Sequence, residues 1–424
     1  MLQLLLALPL FASAQEAPAL RTNIVWISVE DMSPWLGCYG DETIPTPNVD
    51  ALADSGTRYT QAYANAPVCA PARATLITGC YATAIGAMHM RTGKPSKAAL
   101  AADPKAYEGI PSYEATPTPE VRCFPELLRS AGYYCTNASK QDYQFNAPPT
   151  VWDASNGRAH WRDRPDPDQP FFAVFNLTMT HESGTFQSKK RNPKVTDPSA
   201  VEVPPYYPDT PIVRDDIART YDNIAAMDKR VGKIVAELEE AGLLEHTVIF
   251  FFSDHGVGLP RGKRCVYASG THVPLIVRGP GVEPAVTDRL VSFVDFAPTV
   301  LSIAGIEPPA WMMGHAFDGA HEAPAQPFVF FHADRMDAVI RTSATLRLIR
   351  SVSEITHLLP STPLRNALAP SKFALALSNV HNSMAPNPDF NDSPRLRSSN
   401  GPMSPESMQL TEDVTDEQLD RVVD

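Results

Sequence analysis

Three long apolar runs in this chain stop abruptly on acidic or imidazole side chains. Asn23–Val29 runs into Glu30-Asp31, Phe171–Leu177 is followed within four residues by His181-Glu182, and Thr247–Ser253 runs into Asp254-His255. A seven-residue apolar run without polar alternation reads as a strand buried on both faces, as in a parallel sheet covered by helices. Helical spacing appears between the runs. Ile217, Tyr221, Ile224, Val231, Ile234, Val235 and Leu238 predict a helix over 215–241, closed by Gly242. Shorter helices are predicted over 47–55, ended by Gly56, over 124–130, and over 292–304 with Pro298 inside; further strands are predicted at 132–136 and 274–278. Alternating strands and helices define an α/β chain, a sandwich around a mostly parallel sheet. In such folds ligands collect beyond the carboxyl ends of the strands, where these acidic and imidazole groups fall.

Composition limits the function. The chain has 424 residues, enough for a large core, and a formal net charge of −12, which argues against a nucleic-acid surface. An apolar run over 2–11 followed by Ala12-Ser-Ala14 reads as a secretory signal over 1–14, cleaved before Gln15. No other stretch approaches the ~20 apolar residues of a membrane span, so a soluble, exported protein is expected, periplasmic or secreted. The six cysteines, at 38, 69, 80, 123, 135 and 265, form no Cys-x-x-Cys pair; Cys123 and Cys135 are candidates for a bridge whose geometry the sequence leaves open. Beyond residue 356 the chain is rich in Pro, Ser and Asn and is expected to be poorly ordered; 344–350 reads as an edge strand.

The chemistry-bearing stretch is Cys69-Ala-Pro-Ala-Arg73, continued by Leu76-Ile-Thr-Gly79. Pro71 suits the first turn of a helix and Gly79 its end. Cys69 then lies at a helix N-terminus, where unpaired N–H groups favour an anion, with Arg73 one turn behind it. A nucleophile beside a guanidinium at such a terminus suits an anionic ester. Glu30, Asp31, Asp254 and His255 offer the oxygen-rich set that a hard divalent cation such as calcium requires.

Cys69-Ala-Pro-Ala-Arg73 resembles the Cys-type sulfatase signature, and Gly79-Cys-Tyr-Ala-Thr-Ala-Ile-Gly86 resembles the second signature of that family. The resemblance implies an alkaline-phosphatase-like sandwich, with a catalytic domain over 20–310 and a reduced C-terminal subdomain over 311–355, ahead of a tail over 356–424. It implies that Cys69 is oxidised to formylglycine (3-oxoalanine) by a formylglycine-generating maturation enzyme, and that its hydrate is the nucleophile. Calcium would be held by Glu30, Asp31, Asp254 and His255 together with residue 69. The family often has Asp-Asp where this chain has Glu30-Asp31. Lys140 and Lys263 would contact sulfate oxygens, Arg73 would help hold residue 69, Asp254 would act as base, and His181 would protonate the leaving group. Many relatives carry a histidine where this chain has Asp142. His272, His332 and Arg335 are candidates for the sugar pocket, although the 332–337 segment reads equally as a surface turn. The expected substrate is a sulfated glycan, with heparan N-sulfatase-like bacterial proteins closest in motif. Two rivals stand beside this reading. One is a phosphodiesterase or phosphonate monoester hydrolase of the alkaline phosphatase superfamily; the other is a non-catalytic glycan-binding descendant.

Overall fold

A computed structural model describes residues 21–90, 100–101, 103–108, 113–185, 192–333, 337–341 and 346–349. The expected signal at 1–14, the tail over 356–424 and Arg335 lie outside the described residues. The strands in chain order are β1 (Asn23–Val29), β2 (Thr57–Tyr59), β3 (Ala62–Tyr63), β4 (Tyr134–Ala138), β5 (Ala154–Ser155), β6 (Phe171–Leu177) and β7 (Thr247–Ser253). They continue with β8 (Leu275–Arg278), β9 (Ala285–Thr287), β10 (Val291–Ser292), β11 (Val329–Ala333), β12 (Asp337–Arg341) and β13 (Leu346–Ile349).

An eight-stranded sheet has the order β5-β4-β6-β1-β7-β8-β2-β9. The first five of these strands are mutually parallel, whereas β8 runs antiparallel to both β7 and β2. The fold is therefore the expected α/β sandwich on a mostly parallel sheet. β1 lies at its centre and is buried along its whole length. Its side chains alternate between two cores. Ile24 and Trp26 face one, where Trp26 meets Phe124, Phe172 and Phe252 with each pair of ring centroids 5.3 Å apart. Val25, Ile27 and Val29 face the other, which is covered by a 30-residue helix, Pro211–Glu240. Edge-on contacts between the aromatic rings add to the burial of their large apolar area.

That helix starts earlier than the apolar spacing predicts. Thr210 caps it, accepting from the Val213 N–H, and Pro211 opens it. The predicted helix over 292–304 divides into a 3₁₀ turn, Phe293–Asp295, and an α-helix, Phe296–Ile303. Pro298 falls in the first turn of the latter, where its absent N–H has no intrahelical acceptor to lose. β11, β12 and β13 form a separate three-stranded antiparallel sheet, in which β13 occupies the predicted edge-strand segment. Cys123 and Cys135 are both free.

The helix Pro47–Asp54 packs in the same core as the long helix and is tied to it by a borrowed cap. Its cap residue Thr46 makes no side-chain cap bond; its hydroxyl instead takes the Gly37 N–H. Asp228, from the long helix, takes over the capping role, accepting the Asn48 N–H at 3.0 Å and the Val49 N–H at 2.9 Å. Asp228→Ala therefore leaves two helix-terminal donors without an acceptor. It is expected to lower stability by about 1–3 kcal/mol in urea unfolding, whereas Asp228→Asn, which keeps an acceptor oxygen, is expected to lose less.

Candidate active site

The β1–β7 register sets Val29 opposite Ser253. Pairing continues past the strand ends: the Asp254 N–H donates to Val29 O at 2.9 Å, and the Met32 N–H donates to His255 O at 3.0 Å. Glu30-Asp31 and Asp254-His255 are thereby held side by side. Asp31 adopts φ +49°, a left-handed conformation that Asp tolerates better than most residues. This turn directs Asp31 Oδ1 to 3.1 Å from His255 Nε2.

Residue 69 arrives from the opposite layer. The helix Cys69–Thr78 begins at Cys69, after an extended Val68, with Pro71 in its first turn as expected. Gly79 ends it at φ +65°, donating back to Thr75 O. The whole helix is buried, so Cys69 is fixed rather than mobile. Its Sγ lies 3.3 Å from His255 Nε2. Arg73, one turn on, donates from Nε to Asp254 Oδ2 at 3.0 Å and from Nη1 to Asn176 Oδ1 at 2.6 Å.

Ligand atoms of Cys69, Asp254 and His255 lie within 4.8 Å of one another, as do those of Asp31, Cys69 and His181. Two carboxylates and an imidazole meeting at one buried point are a donor set that fits a hard divalent cation. Glu30, expected in this set, falls in neither group. The structure gives Glu30 to cations instead: Oε1 is 2.7 Å from Lys140 Nζ and 3.9 Å from Arg73 Nη2. Glu30 lies one residue past the end of β1, and its other oxygen is 3.9 Å from His181 Nε2, so it stays beside the cluster as a partner of its cations.

Lys263 is enclosed. Its Nζ is 2.8 Å from Asp31 Oδ2, 3.2 Å from Glu182 Oε1 and 3.4 Å from His181 Nε2. Burial opposes the charge of Lys263, but Asp31 outweighs it and the pKa rises. The same balance, burial against Asp254, raises Lys140 and Arg73. For Asp31, burial is overcome by His255 and Lys263, which hold the carboxyl far below its usual range. Within this centre the carboxylates Glu30, Asp31, Asp142, Glu182 and Asp254 face the cations Arg73, Lys140, Lys263 and Arg264. A bound divalent cation would leave an excess of positive charge, which an anionic ester would match.

His181 closes the mouth. Its Nδ1 accepts the Ser183 N–H at 3.2 Å, an assignment forced because a backbone amide only donates. Its Nε2 faces Glu30 at 3.9 Å and the Lys263 ammonium, which only donates, at 3.4 Å. Asp142 lies 3.7 Å from Lys140 Nζ, at φ +61°.

Two residues of the cluster have weak sequence signals. Asn176 is a single polar residue inside the apolar β6 run, and it passes the hold on Arg73 to Asn137. Glu182 binds Arg264 through both oxygens at 2.9 Å, and its N–H donates to Asp31 Oδ2 at 2.7 Å. The expected sugar-pocket residues His272 and His332 lie apart from one another. His272 directs Nε2 at Thr60 O, 2.9 Å away, and lines a neighbouring cleft. His332 is buried in β11 beside Asn65, and burial pushes its pKa down to about 4.

The comparisons with known proteins agree with this geometry. A family model described as Sulfatase matches residues 22–306. An ulvan-active sulfatase from Formosa agariphila is 43% identical over 354 residues, covering 75% of this chain and 58% of that protein. The human N-sulphoglucosamine sulphohydrolase is 28% identical over 328 residues, covering 68% of this chain and 62% of that protein. Among solved structures, one in complex with its substrate D-glucosamine-2-N,6-O-disulfate superposes with TM-score 0.57 at 16% identity, covering 88% of this chain and 100% of that one. A phosphonate monoester hydrolase of Agrobacterium radiobacter superposes with TM-score 0.59 at 16% identity, covering 85% and 96%. These two structural matches show the fold. The chain belongs to the sulfatase family. It spans about three fifths of the length of these two curated relatives. Among the described residues, no helix is long and apolar enough to cross a membrane.

Removing Arg73 would leave Asp254 and Glu30 buried without their shared cation. Arg73→Met is expected to destabilise the fold by about 3–5 kcal/mol in urea unfolding. Arg73→Lys, which cannot reach Asp254 and Asn176 together, is expected to fall between Met and wild type.

Proposed function

We propose that this chain hydrolyses sulfate esters or sulfamates of a sulfated glycan, with residue 69 as the nucleophile after its oxidation to formylglycine. The observation that carries the reading is the placement of Cys69. It starts a buried helix, 3.3 Å from His255 and one turn from an arginine fixed on Asp254. The 43% identity to an ulvan-active sulfatase favours a sulfated algal polysaccharide as the substrate class. An exported protein, matured by a formylglycine-generating enzyme, fits both the modification and a polymer met outside the cell.

Each residue has a role in this reading. Residue 69, once oxidised and hydrated, would offer one hydroxyl as the nucleophile and a second for release of sulfate. Asp31, Asp254 and His255 would hold a calcium ion, which would supply charge to offset the anionic ester. Lys140 and Lys263 face the same space and neutralise sulfate oxygens without moving, since Glu30 and Asp31 already hold them. Arg73 fixes Asp254, and the carboxylate of Asp254 takes the proton from the attacking hydroxyl. His181, whose Nε2 faces Lys263 and Glu30, delivers a proton to the departing oxygen or nitrogen. The Ser183 amide and hydroxyl keep the ring turned to do so.

Activity on sulfated ulvan oligosaccharides and on defined N- and O-sulfated sugars tests the reading. Cys69→Ala is expected to abolish sulfate release, and His181→Ala is expected to lower kcat by about 10²–10⁴-fold. Faster hydrolysis of a matched phosphate or phosphonate ester would contradict the assignment in favour of the phosphoryl-transfer relatives. Chelation followed by calcium addition tests the metal. Calcium at a hundredfold above its Kd is expected to stabilise the fold by about 2.7 kcal/mol in thermal unfolding, and Asp254→Asn is expected to lose most of that gain.

A further inference from the structure

Beside the catalytic cluster lies a cleft of about 370 Å³ that the chemistry above does not use. Ser33 and Val257 belong to its wall, and each is two residues from a proposed metal ligand, Asp31 and His255 respectively. Two residues of chain span at most about 7 Å, so the cleft and the catalytic centre are immediate neighbours. The loop 260–265 divides them. Lys263 and Arg264 reach Asp31 and Glu182 on the catalytic side. Arg261, at φ +64°, turns to the other side and lies between two tyrosine rings, 4.7 Å from the centroid of Tyr206 and 4.5 Å from that of Tyr267.

Four aromatic rings line this cleft. Trp35 and Tyr221 stack with their centroids 5.2 Å apart and form one side. Tyr206 and Tyr267 are 37% and 43% exposed, a large aromatic area to leave in water. One face of each lies against Arg261, and the exposed ring surface that remains suits the flat C–H face of a pyranose, while neighbouring polar groups take its hydroxyls. The charges select among sugars. Two carboxylates oppose the single guanidinium of Arg261: Glu202, which is exposed, and Asp41, which already accepts the Tyr221 hydroxyl at 2.6 Å. Carboxylates only accept hydrogen bonds, so they suit sugar hydroxyl donors and repel sulfate or uronate groups. The catalytic centre has the opposite preference, because it gathers cations around an anion.

We infer that the Trp35/Tyr206/Tyr221/Tyr267 cleft binds a neutral, unsulfated sugar unit of the same glycan chain whose sulfated unit occupies the Cys69 site. The inference rests on the reading of a sulfated-glycan substrate, and it adds a requirement for an uncharged unit a short distance along the polymer. The loop 260–265 would then lie beneath the glycan, contacting the sulfated unit through Lys263 and the neutral unit through Arg261.

Two probes test this. In the first, neutral tetrasaccharides of xylose and galactose are titrated into the wild-type protein while Trp35 fluorescence is followed. Saturable quenching that is lost in Tyr206→Ala/Tyr267→Ala is expected; no saturable response to any neutral tetrasaccharide would overturn the cleft. This needs no turnover, so it reports on the cleft even in a protein that releases no sulfate, the outcome that would instead refute the proposed activity. In the second, KM is measured for sulfated ulvan oligosaccharides and for a sulfated monosaccharide. The double variant is expected to raise the ratio of the first KM to the second about tenfold, the loss of roughly one good aromatic contact. An equal change in both KM values would assign the tyrosines a merely structural role and overturn the inference. Glu202→Gln, an exposed change with little risk to folding, is expected to strengthen binding of a carboxylated tetrasaccharide relative to a neutral one. A wild-type preference for the carboxylated sugar would equally contradict the proposal.

Discussion

Everything chemical in this protein depends on two backbone hydrogen bonds made just beyond the centre of the sheet, Asp254 N–H to Val29 O and Met32 N–H to His255 O. They extend the β1–β7 ladder by two residues. That small extension brings two sequence-distant acidic pairs into one buried point, where like charges would repel unless cations came with them. The cations come from three other elements. Arg73 rides on the buried helix, Lys140 follows β4, and Lys263 reaches in from the loop after β7. None of these groups is stable there alone, because an isolated buried charge is costly. The site is therefore assembled as a paired set.

This pairing gives the centre its preorganisation. Lys140 and Lys263 are already paired, so they need no reorganisation when an anion arrives, and the large helices on either face keep their anchors from moving. The rigid aromatic core around Trp26 lies beneath the site. On it stand β1, β6 and β7, whose ends carry Asp31, Asn176 and Asp254. Among the described residues, positive φ at non-glycine positions falls on Asp31 in the buried centre and on Ser139, Asp142, Gln144, Arg261 and Arg264 in loops. Each holds that backbone at some conformational cost.

Much of this was legible in the sequence, and the limits have physical causes. β1, β6 and β7 were readable to the residue because a strand buried on both faces needs an unbroken apolar run. The start of the 30-residue helix was not, since its first turn projects into solvent, with Ile212 76% exposed, and carries no apolar stripe. The Thr210-Pro211 pair was the signal for it. β8 read as a buried strand, but an apolar run has no direction, so its antiparallel course was invisible. The cysteine motif placed residue 69 at a helix N-terminus and Pro71 in its first turn, and both hold. The pairing of Glu30 with Lys140 lay beyond reach because it links residues 110 positions apart. His272 and His332 show the weakness of reading single histidines: one lines the adjoining cleft and the other is buried against Asn65.

The central claim is that residue 69 acts as an aldehyde within this charge-paired centre. Peptide mass spectrometry of the mature protein, after trapping with an aldehyde-selective hydrazide, tests it most directly. The account predicts a peptide spanning Cys69 that has lost its thiol and gained the hydrazone, in protein that releases sulfate. An intact thiol at residue 69, in active protein from a host with the maturation enzyme, would contradict it.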